Sequence, residues 1–195
     1  MSAVALYMQC FAEQVEDSLV SATDEYNSFL RAPAAIWTIP AQGPLADGTL
    51  LSFAASSVTS INWPTTPVAT APSLPNLRGW YYIGCNANLV DASPAVGQPR
   101  SLIVYAQQNT GIISGDGRLG AFQDTTLETN TGGENVLPAG TVFFAGGDFT
   151  SPNPVDLRIQ WLGSGFVGNN PSVSTSPPGR LWAVYLGDTP QIGVI

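Results

Sequence analysis

Histidine and lysine are absent from the 195 residues, and cysteine occurs only twice. Without histidine there is no Ser-His-Asp or Cys-His triad and no imidazole ligand for zinc. Without lysine there is no Schiff base and no phosphate-binding Walker loop. Charge of either sign is sparse, at 10% of residues, and the cations are Arg31, Arg78, Arg100, Arg118, Arg158 and Arg180. Six scattered arginines against fourteen acids leave a net charge of −8. No basic stripe exists to neutralise a phosphate backbone, so no nucleic-acid partner is expected. Cys10 and Cys85 are too few for a disulfide scaffold; one bridge fits, and two free buried thiols are the expectation. No apolar run approaches the length of a membrane span, and no membrane partner is expected. The opening MSAVALYMQCFA lacks a basic start and runs directly into Glu13, Glu16 and Asp17, which argues against a signal peptide.

Apolar and turn-forming residues fill the space that charge leaves. The chain is 44% hydrophobic and 10% aromatic, with twenty glycines and sixteen prolines. That is enough apolar material for one domain with its own core, and too hydrophobic for disorder.

Three stretches differ in texture. In residues 1–34, Phe11, Val15, Leu19, Ala22, Tyr26 and Phe29 recur at helical spacing, with Glu13, Glu16, Asp17, Asp24 and Glu25 between them. This predicts an N-terminal arm, part helical, with one apolar and one acidic face. Such a helix either packs on its own domain or docks onto another subunit, and extended wrapping without helix is a third arrangement. Residues 35–78 hold short strands around Ala35–Ile39 and Thr49–Ile61. A connector follows in which Pro64, Pro67, Pro72 and Pro75 forbid helix and favour an extended course. From Gly79 to the end the pattern is strand after strand, separated by turns. Val155, Leu157, Ile159 and Trp161 alternate with Asp156, Arg158 and Gln160, the signature of a strand buried on one face. With no helical period after residue 30, the expected fold over 79–195 is all-β, a sandwich or an antiparallel jelly roll.

The order of these signals resembles the tumour-necrosis-factor-like jelly roll, shared with complement recognition heads and with bacteriophage structural proteins. The residues that carry the likeness begin with Gly79-Trp80-Tyr81-Tyr82 and the arginine-bearing strand Arg100–Tyr105. The Pro138–Gly140 turn, the Gly146–Asp148 segment, the alternating strand Val155–Trp161 and the final apolar strand Leu181–Leu186 follow in order. The resemblance implies a compact homotrimer whose subunits pack flat aromatic faces around a three-fold axis. Complement-type heads bind ligands on outer loops, and the phage relatives decorate capsids or form fibre parts.

Catalysis would have to run on carboxylates, cysteine, serine, tyrosine or arginine. Asp116, Asp124 and Glu128 lie close in sequence, and a carboxylate pair can cut a glycosidic bond. Asp116 sits in a Gly-Asp-Gly turn and Asp148 after two glycines, both explained by turn chemistry. No run has the ligand spacing of a calcium loop. The expectation is therefore no enzyme, no cofactor and no metal. Of the five tryptophans, Trp161 and Trp182 read as core, and Trp63, directly before Pro64, reads as the exposed aromatic able to face a ligand. The expected function is a trimeric capsid decoration protein on a phage virion, made in the host cytoplasm. It would bind the major capsid protein through Phe11, Val15, Leu19, Tyr26 and Phe29. A tail-fibre tip that binds a host glycan is the alternative.

Overall fold

The computed structural model describes residues 32–53, 57–90, 99–108, 118–127, 133–144, 155–163, 171–174, 176 and 178–188. Pro33–Ile195 form one compact unit and Met1–Ala32 another. The expected helical arm and its docking residues Phe11, Val15, Leu19, Tyr26 and Phe29 lie outside the described residues, as does Cys10.

Among the described residues every regular element is a strand, and every strand pairing is antiparallel. The first sheet is built on β4 (Gly79–Val90) and β11 (Gly179–Gly187), with β1 (Ala34–Ile39) and the edge strand β2 (Val58–Ile61) beyond β11. On its other side β4 pairs β8 (Ala139–Phe144) along its first half and the short β7 (Glu134–Val136) along its second. The two-residue β10 (Ser172–Val173) pairs the far end of β4. The second sheet runs β3 (Ser73–Leu74), β9 (Val155–Leu162), β5 (Pro99–Gln108), β6 (Arg118–Leu127). Neighbours in space are mostly distant in sequence, and the chain crosses repeatedly between two packed sheets. The fold is an all-β jelly-roll sandwich.

Alternation decides which residues fill the space between the sheets. Trp37 and Ile39 of β1, Tyr81, Ile83, Cys85, Ala87 and Leu89 of β4, and Leu181 and Ala183 of β11 point inward and are buried. Leu102, Val104 and Ala106 of β5 meet them from the other sheet, with Val155, Leu157, Ile159 and Trp161 of β9. On β9 the three intervening polar residues are half-exposed, as the alternation requires. Where β6 and β8 lie close, missing side chains make room: Val142 sits against Gly120, and the Phe122 ring lies over Gly140.

Trp63 corrects the sequence reading. It is not a surface platform: only 9% of it is exposed, and its ring fits edge-on between Trp37 and Tyr81. The proline-rich connector lies along the sandwich here. Trp37 Nε1 donates to the Val68 carbonyl, and Leu157 N donates to the Pro72 carbonyl. The segment carries its own plug into the core because burying an indole withdraws more apolar area than any other side chain offers.

Candidate functional site

The outward face of the first sheet is the feature that burial within the sandwich leaves unexplained. Strands of a solvated sandwich show one apolar and one polar face. β9 obeys this; the strands of the first sheet do not. Leu181-Trp182-Ala183-Val184-Tyr185-Leu186 is apolar on both faces, as is most of Ala34–Ile39.

Register sets the layout of this face. Ile61, Ala34, Val184, Tyr82 and Thr141 form one row across β2, β1, β11, β4 and β8. Thr59, Ile36, Trp182, Gly84 and Ala139 form the next. Beyond the first row, Trp80 and Phe143 pair across β4 and β8 with ring centroids 5.2 Å apart, and the Arg78 guanidinium lies over Phe143. Beyond the second, Thr38, Arg180 and Asn86 begin a polar end. Ile61 is 57% exposed, and Ile36, Tyr82 and Leu186 are exposed as well.

Charge separates the two sheets. Strands β2, β1, β11, β4 and β8 carry a single charged residue, Arg180. The four strands of the second sheet carry Arg100, Arg118, Asp124, Asp156 and Arg158. Arg158 pairs with Asp156 at 3.0 Å, and Arg118 stacks over the Tyr105 ring at 4.4 Å. The second sheet thus carries most of the charge; in the first, Glu134 lies on the short β7, and the five strands offer a nearly uncharged aromatic surface.

Trp182 is the second correction. It is not core: it lies half-buried in the outward face, across the position of Gly84. The surface aromatics are Trp80, Tyr82 and Trp182, with Phe143, rather than Trp63. The signal that could have found them is the missing alternation in 181–186 and 80–83.

The described chemistry is structural. Asp124, from the carboxylate trio considered above, accepts backbone hydrogen bonds from Thr125 N at 2.9 Å and Leu137 N at 2.7 Å. Oδ2 thus ties β6 to the turn before β8, while Oδ1 is held by the next residue of its own strand. Asp116, Glu128 and Asp148 lie outside the described residues. Cys85 is a free thiol in the core, and burial, with the nearby Asp124 carboxylate, pushes its pKa well above the ordinary value. A neutral, inaccessible thiol is a poor nucleophile. Burial also raises Tyr81, whose hydroxyl donates to the Leu77 carbonyl at 2.7 Å. Tyr185 is raised by its partial burial and by the hydrogen bond it shares with Asp188. Among the described residues no group of three or more acids or cysteines converges as a metal site would require.

No family model matches the chain, and no curated protein matches it. Solved structures do match, among them one titled "Structure of Eiger TNF from S. frugiperda". It is 14% identical, with a TM-score of 0.44, over 82% of this chain and 96% of that one. No residue role passes from that protein to this chain.

Proposed function

We propose that the protein is a non-enzymatic structural protein that acts as a homotrimer, assembled through the outward face of the first sheet. The observation that supports this reading is that face: five strands wide, aromatic and aliphatic, with Arg180 at its polar end and the Arg78 guanidinium over Phe143 at the other. Copies of a chain carrying −8 repel one another, and the approach of least repulsion is through the surface that bears almost no acid. Apolar area withdrawn from water contributes about 25 cal/mol per Å². Association costs about 4–15 kcal/mol in lost freedom, so a stable contact needs several hundred Å² of it. Trp80, Tyr82, Trp182, Phe143, Ile36 and Ile61 are large enough side chains to supply that area.

The finer reading is capsid decoration. A rigid, catalytically silent trimer with an acidic, apolar-striped arm on each chain suits a protein that cements a phage head. The arm residues Phe11, Val15, Leu19, Tyr26 and Phe29 would contact the major capsid protein, and three arms acting together gain avidity. The glycan-binding fibre tip is the weaker reading, because Trp63, the aromatic chosen to stack on sugar, is buried.

Light scattering after size exclusion tests the trimer. Three times the chain mass of 20.4 kDa is expected, and a monomer at every concentration overturns it. Co-sedimentation with undecorated capsids tests the partner. The full-length trimer should pellet with the shells, and removal of residues 1–30 should abolish pelleting while the trimer persists. A truncated protein that still pellets overturns the arm's role.

A further inference from the structure

We infer that Gly84 positions Trp182 as the flat centre of the subunit interface; this rests on the homotrimer reading above. Trp182 occupies the middle strand of the five, in the row Thr59, Ile36, Trp182, Gly84, Ala139. A Cβ on Gly84 would lie 2.5 Å from Trp182 Cζ2, 2.7 Å from Cε2 and 2.7 Å from the Ala139 Cβ. The indole therefore lies down along the sheet, over β4 and toward β8, instead of standing away from it.

Close approach, by the Trp182 indole and by the Ala139 Cβ, is what calls for glycine at this position. Gly84 has no left-handed φ, whereas Gly79 at +146° does. It sits mid-strand in β4, flanked by β11 and β8, where glycine weakens a strand and usually marks a close approach. The close approach here is the indole. Ala139 continues the arrangement on β8: a small side chain is what the remaining space admits. Trp182 pairs with Ile36 across β1 and lies one row from Tyr82; both of these are exposed, while the indole itself is half-buried. A flat face can meet another copy without trapping voids, and a tryptophan fixed at the centre of such a contact is where binding energy concentrates. Raised by a side chain at position 84, the same indole would hold the faces apart.

The test is the dissociation constant of the full-length protein by sedimentation across a dilution series, for wild type, Gly84→Val, Trp182→Leu, and the Trp182→Leu, Ala139→Gly pair with and without Gly84→Val. Each single change is expected to weaken association at least tenfold while the far-ultraviolet circular dichroism stays that of the wild type. In a background carrying both Trp182→Leu and Ala139→Gly, which cuts back both neighbours of the added group, adding Gly84→Val is expected to change the constant less than twofold. A Gly84→Val protein that associates within twofold of wild type overturns the inference, as does an undiminished effect of Gly84→Val in that background. If Gly84→Val does not fold, Gly84→Ala, whose methyl meets the same indole, is judged by the same criterion. A monomeric wild type removes the trimer reading and this inference with it; a trimeric wild type insensitive at position 84 removes only the inference.

Discussion

The indole of Trp63 meets that of Trp37 edge-on, with centroids 6.3 Å apart and ring planes at 86°. Tyr81 receives Trp63 on its other side at the same distance and 70°. Three aromatic rings from the connector, β1 and β4 thus lock the proline-rich segment onto the sandwich. Trp63→Ala is expected to cost about 3–5 kcal/mol, the range for deleting a large buried aromatic. Urea unfolding monitored by circular dichroism measures it. A loss below about 1 kcal/mol would mean that Trp63 does not belong to the core.

Cys85 should be silent toward thiol reagents in the folded protein. It is fully buried, and its pKa is raised chiefly by that burial. In a Cys10→Ser background, Ellman's reagent is expected to leave the native protein unlabelled over hours near pH 8. One equivalent should react at once in denaturing urea. Rapid labelling of the native protein would show that the core opens at β4.

Stability should decline on the alkaline side. Tyr81, Tyr185 and Cys85 all hold their protons more tightly folded than unfolded. Their contribution is therefore complete below the ordinary thiol and phenol values of 9.0 and 10.0 and is lost as pH rises past them. The urea midpoint is expected to stay level from about pH 7 to about pH 8.5, then to fall toward pH 11. Tyr81→Phe should reduce the slope above about pH 10, at a cost near neutrality of about 1 kcal/mol for the hydrogen bond to Leu77. An unchanged slope in that variant would assign the alkaline loss to other groups.

The strands were legible where one face meets water and the other meets the core. Val155–Trp161 alternates because polar Asp156, Arg158 and Gln160 can be hydrated opposite a buried row, and the structure keeps that register residue for residue. Trp63 was misread because an aromatic beside proline carries no local sign of what lies over it. Its burial depends on Trp37 and Tyr81, 26 and 18 residues away. Trp182 was misread for the opposite reason: an unbroken apolar run looks like core, and only the pairing of Leu181 with Cys85 and of Ala183 with Ile83, nearly a hundred residues earlier, puts those two inward and the indole outward.

Composition by itself excluded particular machinery. A chain without histidine or lysine has no Ser-His-Asp triad, no imidazole ligand and no Walker lysine. Periodicity determined that Val155–Leu162 would be a strand, because period two leaves no helical face. Tertiary structure alone decided which apolar face is hidden inside the sandwich and which is left outside. Apart from the polar end at Thr38, Arg180 and Asn86, both faces of β1, β4 and β11 are largely apolar, and the choice is made by long-range pairing, with Trp37, Tyr81 and Leu181 inward and Ile36, Tyr82 and Trp182 outward. Register is a property of two strands together, so no single segment of the chain contains it.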